Sequence, residues 1–141
     1  MTEPDSSGSS VRRALYDTSV FIAAESGRPI NHHLLPAENV TTVITWAELS
    51  AGVLSAPDPR SRMLRMRTLT SLAQTELLGV DVRAAEHWAQ LRVHLGQSGR
   101  RLNVNDLWIA AIALANQLPI VTQDDDFAAL EGFPGIHLVQ V

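Results

Sequence analysis

Three consecutive aspartates, Asp124, Asp125 and Asp126, follow a short apolar run in the stretch IVTQDDDFAAL. Two carboxylates held about 4 Å apart repel by roughly 4 kcal/mol at the effective dielectric near a protein surface. A chain that gathers them at the end of a buried strand either splays them into water as a turn or holds something positive between them. Other acids stand in comparable places: Asp17 closes the run RALYD, Glu48 lies in TWAEL, and Asp106 lies in NVNDLW. A carboxylate donor set without thiolates suits a hard divalent ion, Mg²⁺ or Mn²⁺. The five histidines compete poorly for that role. His32 and His33 are adjacent, His87 and His94 are two helical turns apart, and His137 sits in the closing strand; none makes the His-x-x-x-His spacing of a zinc helix.

Each acid also has a plainer explanation. Thr45-x-x-Glu48 is the spacing of a capping box, which satisfies the first N–H groups of a helix. Asp106 lies in the first turn of a helix that Asn103 would cap, where an acid favours the dipole. Asp17 is a common type of N-cap residue, and Asp124 or Asp125 would serve the short helix starting near Phe127. What these separate readings leave unexplained is that every one of the acids falls at a strand C-terminus or a helix N-terminus.

The elements that must position them alternate from end to end. Ala14–Asp17 reads as a strand running into a helix near Thr18. NVTTVIT is a β-branched strand feeding the helix TWAELSAGVLSA. Asp58 and Pro59 open another helix as cap and first residue. ELLGVD is a third strand. Ala84, Trp88, Leu91 and Leu95 mark a helix that Gly99 stops. NVNDLWIAAIALANQL is a strongly apolar helix, followed by the strand PIVTQ, a short helix through FAALEG and the strand IHLVQV. This order predicts a single α/β domain of three layers with a mostly parallel central sheet. In such folds ligands bind beyond the carboxyl ends of the strands, so Asp17 and Asp124 share one edge.

The chain has 141 residues, which suits one domain. The start, MTEPDSSGSS, is polar and lacks the regions of a signal peptide; residues 1–12 read as a flexible tail before a domain at 13–141. Absence of cysteine excludes disulfides, thiolate catalysis and cysteine-built zinc sites, and fits a cytoplasmic location. No run is long enough to span a bilayer. The net charge is −4, from fifteen acids and eleven bases. With Asp17, Glu48, Asp106, Asp124 and Asp126 set aside, ten acids remain against eleven bases, so the rest of the surface is nearly neutral. Every base is an arginine, which removes P-loop NTPases, and the receiver and haloacid-dehalogenase-like families that use a lysine in the site.

The chain resembles the PIN-domain family, and within it the VapC-type toxins of type II toxin–antitoxin pairs. Four stretches carry the resemblance from Ala14 to Val141: LYDTSVFIA with Asp17 and Thr18, VITWAELSAG with Glu48, NVNDLWIAAIAL with Asp106, and IVTQDDDF with Thr122, Asp124, Asp126 and Phe127. Asp125 falls at the variable position of the last motif. The resemblance implies a Mg²⁺-dependent endoribonuclease that hydrolyses RNA with a metal-activated water, leaving 5′-phosphate and 3′-hydroxyl ends. Asp17 and Asp106 would be the principal metal ligands, with Glu48, Asp124 and Asp126 completing the set directly, through water or around a second ion. Thr18 and Thr122 would hydrogen-bond ligands or phosphate, or simply cap and pack. The implied partners are RNA, a VapB-type antitoxin along the cleft and a second copy in a homodimer.

Among the arginines, Arg60 and Arg67 share one side of a helix and Arg62 and Arg65 another, so they form no continuous stripe. Arg100 and Arg101, just before the Asp106 helix, are better placed to meet a substrate. Trp46 and Trp108, beside two of the acids, read as core. The alternative from another class is a non-catalytic, acid-edged module that binds RNA or a partner peptide.

Overall fold

The structure, a computed structural model, describes residues 12–141. The tail expected over residues 1–12 lies, apart from Arg12, outside the described residues.

Five strands form one wholly parallel sheet: β1 (Arg13–Tyr16), β2 (Glu38–Thr42), β3 (Glu76–Leu78), β4 (Ile120–Thr122) and β5 (Leu138–Gln140), in the spatial order β3-β2-β1-β4-β5. Parallel neighbours need crossovers, and five α-helices supply them: α1 (Thr18–Ser26), α2 (Val43–Leu54), α3 (Pro59–Ser71), α4 (Val82–Ser98) and α5 (Val104–Ala115). The chain winds outward from β1 to β3, then returns to lay β4 against the other side of β1. Leu15 pairs with Ile120 and with Val40, so β1 is the centre and the β1–β4 junction is where the winding reverses.

Alternation along the strands fills both faces. Leu15, Val40 and Ile120 meet the cluster of α4 and α5, with Leu91, Leu95, Ile109, Ile112 and Phe127. Ala14, Tyr16 and Val121 face Val20 of α1, with Phe21 and Val139 packed against them. α5 is apolar nearly all round, and every residue from Ile109 to Ala115 is buried. Full burial of a Leu or Ile side chain stabilises by about 1.5–3 kcal/mol, so Leu107, Ile109 and Ile112 together outweigh the roughly 4 kcal/mol that gathered carboxylates can cost. The core therefore fixes where the first turn of α5, and Asp106 with it, must stand.

The expected caps of three helices form: Asp58 Oδ1 accepts from Ser61 N at 2.8 Å, Asn103 Oδ1 accepts from Asn105 N at 2.8 Å, and Gly99 ends α4 at φ 68°. One boundary differs. The β-branched pattern of NVTTVIT predicts strand throughout, but β2 ends at Thr42 and α2 begins at Val43. Thr42 Oγ1 accepts from Thr45 N at 3.1 Å, closing the first turn, and this cap together with packing of Ile44 on the core overrides the β-branched preference. The helix expected at FAALEG is a 3₁₀ turn, Asp126–Leu130. Among the described residues, no helix is long and apolar enough to cross a membrane.

Candidate functional site

Asp17 leaves β1 and Asp124 leaves β4, on the two sides of the strand-order reversal, where a parallel sheet opens a crevice. A pocket of about 260 Å³ opens there, and Asp17, Glu48, Asp106, Asp124 and Asp126 all line it. Thr18, Ser19, Arg28 and Asn103 complete its polar wall. Asp125 is exposed and is not part of the lining. The acids ring the pocket rather than close on a point: among the described residues, no three His, Asp or Glu side chains are already drawn together as a metal cage.

Asp17 is 2% exposed, and its carboxylate does not cap α1. Ser19 Oγ donates to Asp17 Oδ1 at 2.6 Å and Thr122 Oγ1 donates to Asp17 Oδ2 at 2.8 Å. Those hydroxyls are themselves fixed, since Gln123 N donates to Ser19 Oγ and Asp124 N donates to Thr122 Oγ1. Burial pushes the Asp17 carboxyl up to about 6, with the two hydroxyl bonds opposing it and the charge of Asp124 adding to it.

Glu48 belongs to a second set. Because α2 starts at Val43, Thr45 lies inside the first turn, and the capping-box reading of Thr45 and Glu48 fails. Instead Thr18 Oγ1 donates to Glu48 Oε1 at 2.6 Å, and Asn105 Nδ2 donates to Glu48 Oε2 at 3.3 Å. Thr18 has one proton and gives it to the carboxylate, so Thr45 Oγ1 donates in the 3.0 Å Thr18–Thr45 contact. The starts of α1, α2 and α5 are thereby tied together through one glutamate.

Asp106 carries the electrostatic signature of the pocket. Burial pushes its carboxyl up to about 7, and the charges of Asp17, Glu48, Asp126 and Asp124 push the same way. Asp124 is also raised, first by burial and then by Asp126, with Arg28 pulling against them. The pocket holds more negative charge than its own residues neutralise.

Sequence reading did not single out Ser19, Asn105 or Arg28. Ser19 stands two residues after Asp17, within reach of it around the start of a helix, and Asn105 adjoins Asp106; both spacings were legible signals. Arg28 follows α1, and only the fold brings it to Asp124. Of the arginines considered, Arg65 donates to Gly52 O at 2.7 Å and braces α3 on α2, and Arg100 donates to Ala128 O at 3.0 Å. Arg101 lines a hollow with Asn103 and Asp126. Trp46 does not join the core: it is 38% exposed, because Thr45, Leu49 and Val53 take the buried side of α2. Trp108 does pack inside, stacked on Trp88 with ring centroids 5.2 Å apart.

The PIN domain profile matches residues 14–132. Ribonuclease VapC5 of Mycobacterium tuberculosis is 54% identical over 125 residues, which cover 89% of this chain and 93% of that one. Ribonuclease VapC4 of the same organism is 39% identical over 131 residues, covering 93% and 98%. The crystal structure of VapBC-5, a toxin–antitoxin system of Mycobacterium tuberculosis, contains a chain that superposes with a TM-score of 0.88 at 48% identity, over 93% of this chain and all of that one. Four motifs in order, a parallel sheet of this winding and these likenesses have one outcome: the chain belongs to the PIN-domain family, as a VapC-type member.

Proposed function

We propose that this chain is a Mg²⁺-dependent endoribonuclease, the toxin of a VapBC-type pair, which hydrolyses RNA phosphodiesters and so arrests growth. The observation that carries the reading is the carboxylate pocket at the strand-order reversal, where Asp106 is pushed up to about 7 by burial and by the charges of its neighbours. A negative site made of oxygen donors and facing one arginine fits a hard divalent cation, Mg²⁺ first and Mn²⁺ as a substitute. The two relatives described above bear the name ribonuclease.

Asp17 and Asp106 are assigned as principal ligands, with Glu48, Asp124 and Asp126 completing the set directly, through water or around a second ion. When bound, the ion lowers the pKa of a water nucleophile and offsets charge developing on the phosphate. Ser19 and Thr122 hold both oxygens of Asp17 in one orientation. Thr18 and Asn105 do the same for Glu48, so these are positioning residues. Arg28, facing Asp124, is suited to grip a phosphate oxygen at the rim. Because the solved relative is a toxin–antitoxin system, we carry to this chain a VapB-type antitoxin lying along the cleft. A homodimer, a cytoplasmic location and a folded unit of residues 13–141 belong to the same reading.

The test is cleavage of structured RNA by the purified protein, freed of any antitoxin. Cleavage is expected with Mg²⁺ or Mn²⁺, with 5′-phosphate ends, and it should stop on addition of EDTA. If neither ion supports cleavage, or if cleavage persists in EDTA, the reading fails and an acid-edged binding module takes its place.

A further inference from the structure

The pocket of carboxylates is not the largest hollow in the molecule. The C-terminal half of α4, the connection from Gly99 to Asn103 and the start of α5 enclose a groove of about 710 Å³. Arg92, Arg100 and Arg101 line it, Trp88 contributes to its wall, and no acid does. A smaller hollow of about 350 Å³ joins it to the acid pocket, sharing Arg101 and Leu102 with the groove and Asn103 and Asp126 with the acids. The basic groove and the acidic pocket are therefore consecutive stretches of one surface path.

Two features bear on what the groove could take. The first is its charge: three arginines line it without an acid, and among the described residues the ion pairs are Arg12–Glu38 and Arg13–Glu76, so Arg92 and Arg101, like most arginines of the chain, reach no carboxylate. The second is Gly96. Glycine is among the poorest helix residues, yet Gly96 lies inside α4, has no left-handed backbone to justify it, and would find nothing within 4 Å of an added Cβ. Neither packing nor backbone geometry requires a glycine there. Gly96 lines the groove one helical turn after Arg92, on the same side of α4, and leaves it open there.

We propose that this groove is a substrate subsite, which holds the phosphodiester backbone of single-stranded RNA running away from the bond to be cut. The inference rests on the ribonuclease reading, because a site that takes one phosphodiester continues into the groove as the next nucleotides of the same strand. Guanidinium groups match phosphate oxygens in a bidentate fork. Trp88 already has one ring face against Trp108, so phosphate contact rather than base stacking is the principal attraction, and the subsite accepts many sequences.

The experiment measures binding in EDTA, so that cleavage does not intervene. A labelled single-stranded RNA of about 12 nucleotides, within the range of site sizes for such grooves, is titrated with protein at several salt concentrations. The double variant Arg92→Gln/Arg101→Gln is expected to weaken binding at least about tenfold and to flatten the salt slope by about 0.7 for each phosphate that is no longer neutralised. Gly96→Leu, which fills the groove without changing charge, is expected to weaken binding several-fold, with thermal unfolding used to verify that both variants are folded. Parent-like affinity and slope in the double variant overturn the subsite, as does a parent that does not bind the RNA. If the double substitution weakens binding of a glutamate-rich peptide more than binding of RNA, the subsite is also overturned and the groove is a protein-docking surface. A parent that cleaves RNA while the double variant binds normally sinks the subsite alone. A parent that binds through these arginines yet never cleaves sinks the ribonuclease reading alone.

Discussion

The two edges of the central sheet treat charge in opposite ways. At the edge where the strands begin, Arg12 meets Glu38 at 3.2 Å and Arg13 reaches Glu76 at 2.6 Å, so acids and bases from different strands pair across the surface. Both pairs are exposed, and such pairs stabilise by roughly 0–1 kcal/mol each. At the edge where the strands end, five carboxylates line one pocket with a single arginine at its wall. Charges at the first edge are neutralised by the chain itself, whereas neutralisation at the second is left to whatever the pocket binds. The difference separates a surface balanced by its own residues from one that, on the proposed reading, is balanced by a bound cation.

Exchanging the acids for neutral isosteres gives the largest expected effect. Asp17→Asn and Asp106→Asn should each lower RNA cleavage by about 100-fold or more, since on the proposed reading each removes a principal ligand of the metal. In metal-free buffer Asp106→Asn should at the same time raise the melting temperature, because a half-buried charge repelled by four neighbours has gone. Activity loss accompanied by a fall in melting temperature would mean that Asp106 is a structural residue, and the contrast between the edges would lose its basis.

A smaller effect separates the members of the triplet. Asp124→Asn should cost about tenfold or more in cleavage, while the exposed Asp125→Asn should stay within about twofold. Equal losses would show that the pocket has been assigned the wrong aspartates.

The pH dependence is subtler. The Asp17 and Asp106 carboxyls are held at about 6 and about 7, above the unfolded value near 4. Between about pH 4 and 7 the folded chain therefore binds more protons than the unfolded one, and these groups lose stability as pH rises through that window. In EDTA, the melting-temperature gap between Asp106→Asn and the parent should widen from pH 5 to pH 8, and saturating Mg²⁺ should raise the parent more than the variant. A gap that stays constant with pH would remove the charge argument.

The smallest change belongs to the other edge. Arg12→Ala or Glu38→Ala should shift stability by no more than about 1 kcal/mol, and less in high salt. A larger loss would mean that the paired edge carries structure of its own.

Much of this was legible in the residues. Alternation of short β-branched runs with amphipathic helices identified a parallel sheet, and the placement of acids at strand ends and helix starts located the pocket before any fold was visible. What stayed hidden depended on contacts distant in sequence. The start of α2 could not be read from NVTTVIT, because the Thr42 cap and the burial of Ile44 compete with a real β preference. Once that boundary shifts, Thr45 leaves its expected capping role, Glu48 turns to Thr18 and Asn105, and Trp46 moves to the surface. Arg28 was hidden for a different reason, since nothing in SGRP points to residue 124 until β1 and β4 lie side by side.

The pairing of Leu15 with Ile120 joins residues more than one hundred positions apart. A chain still emerging from the ribosome has synthesised Asp17 and Glu48 long before the strand that completes their surroundings, so the pocket cannot exist until β4 and the aspartates after it are made. Assembly of the pocket is thereby coupled by topology to synthesis of β4, and a translation product that stops before Ile120 has neither that strand nor the Asp124 that follows it.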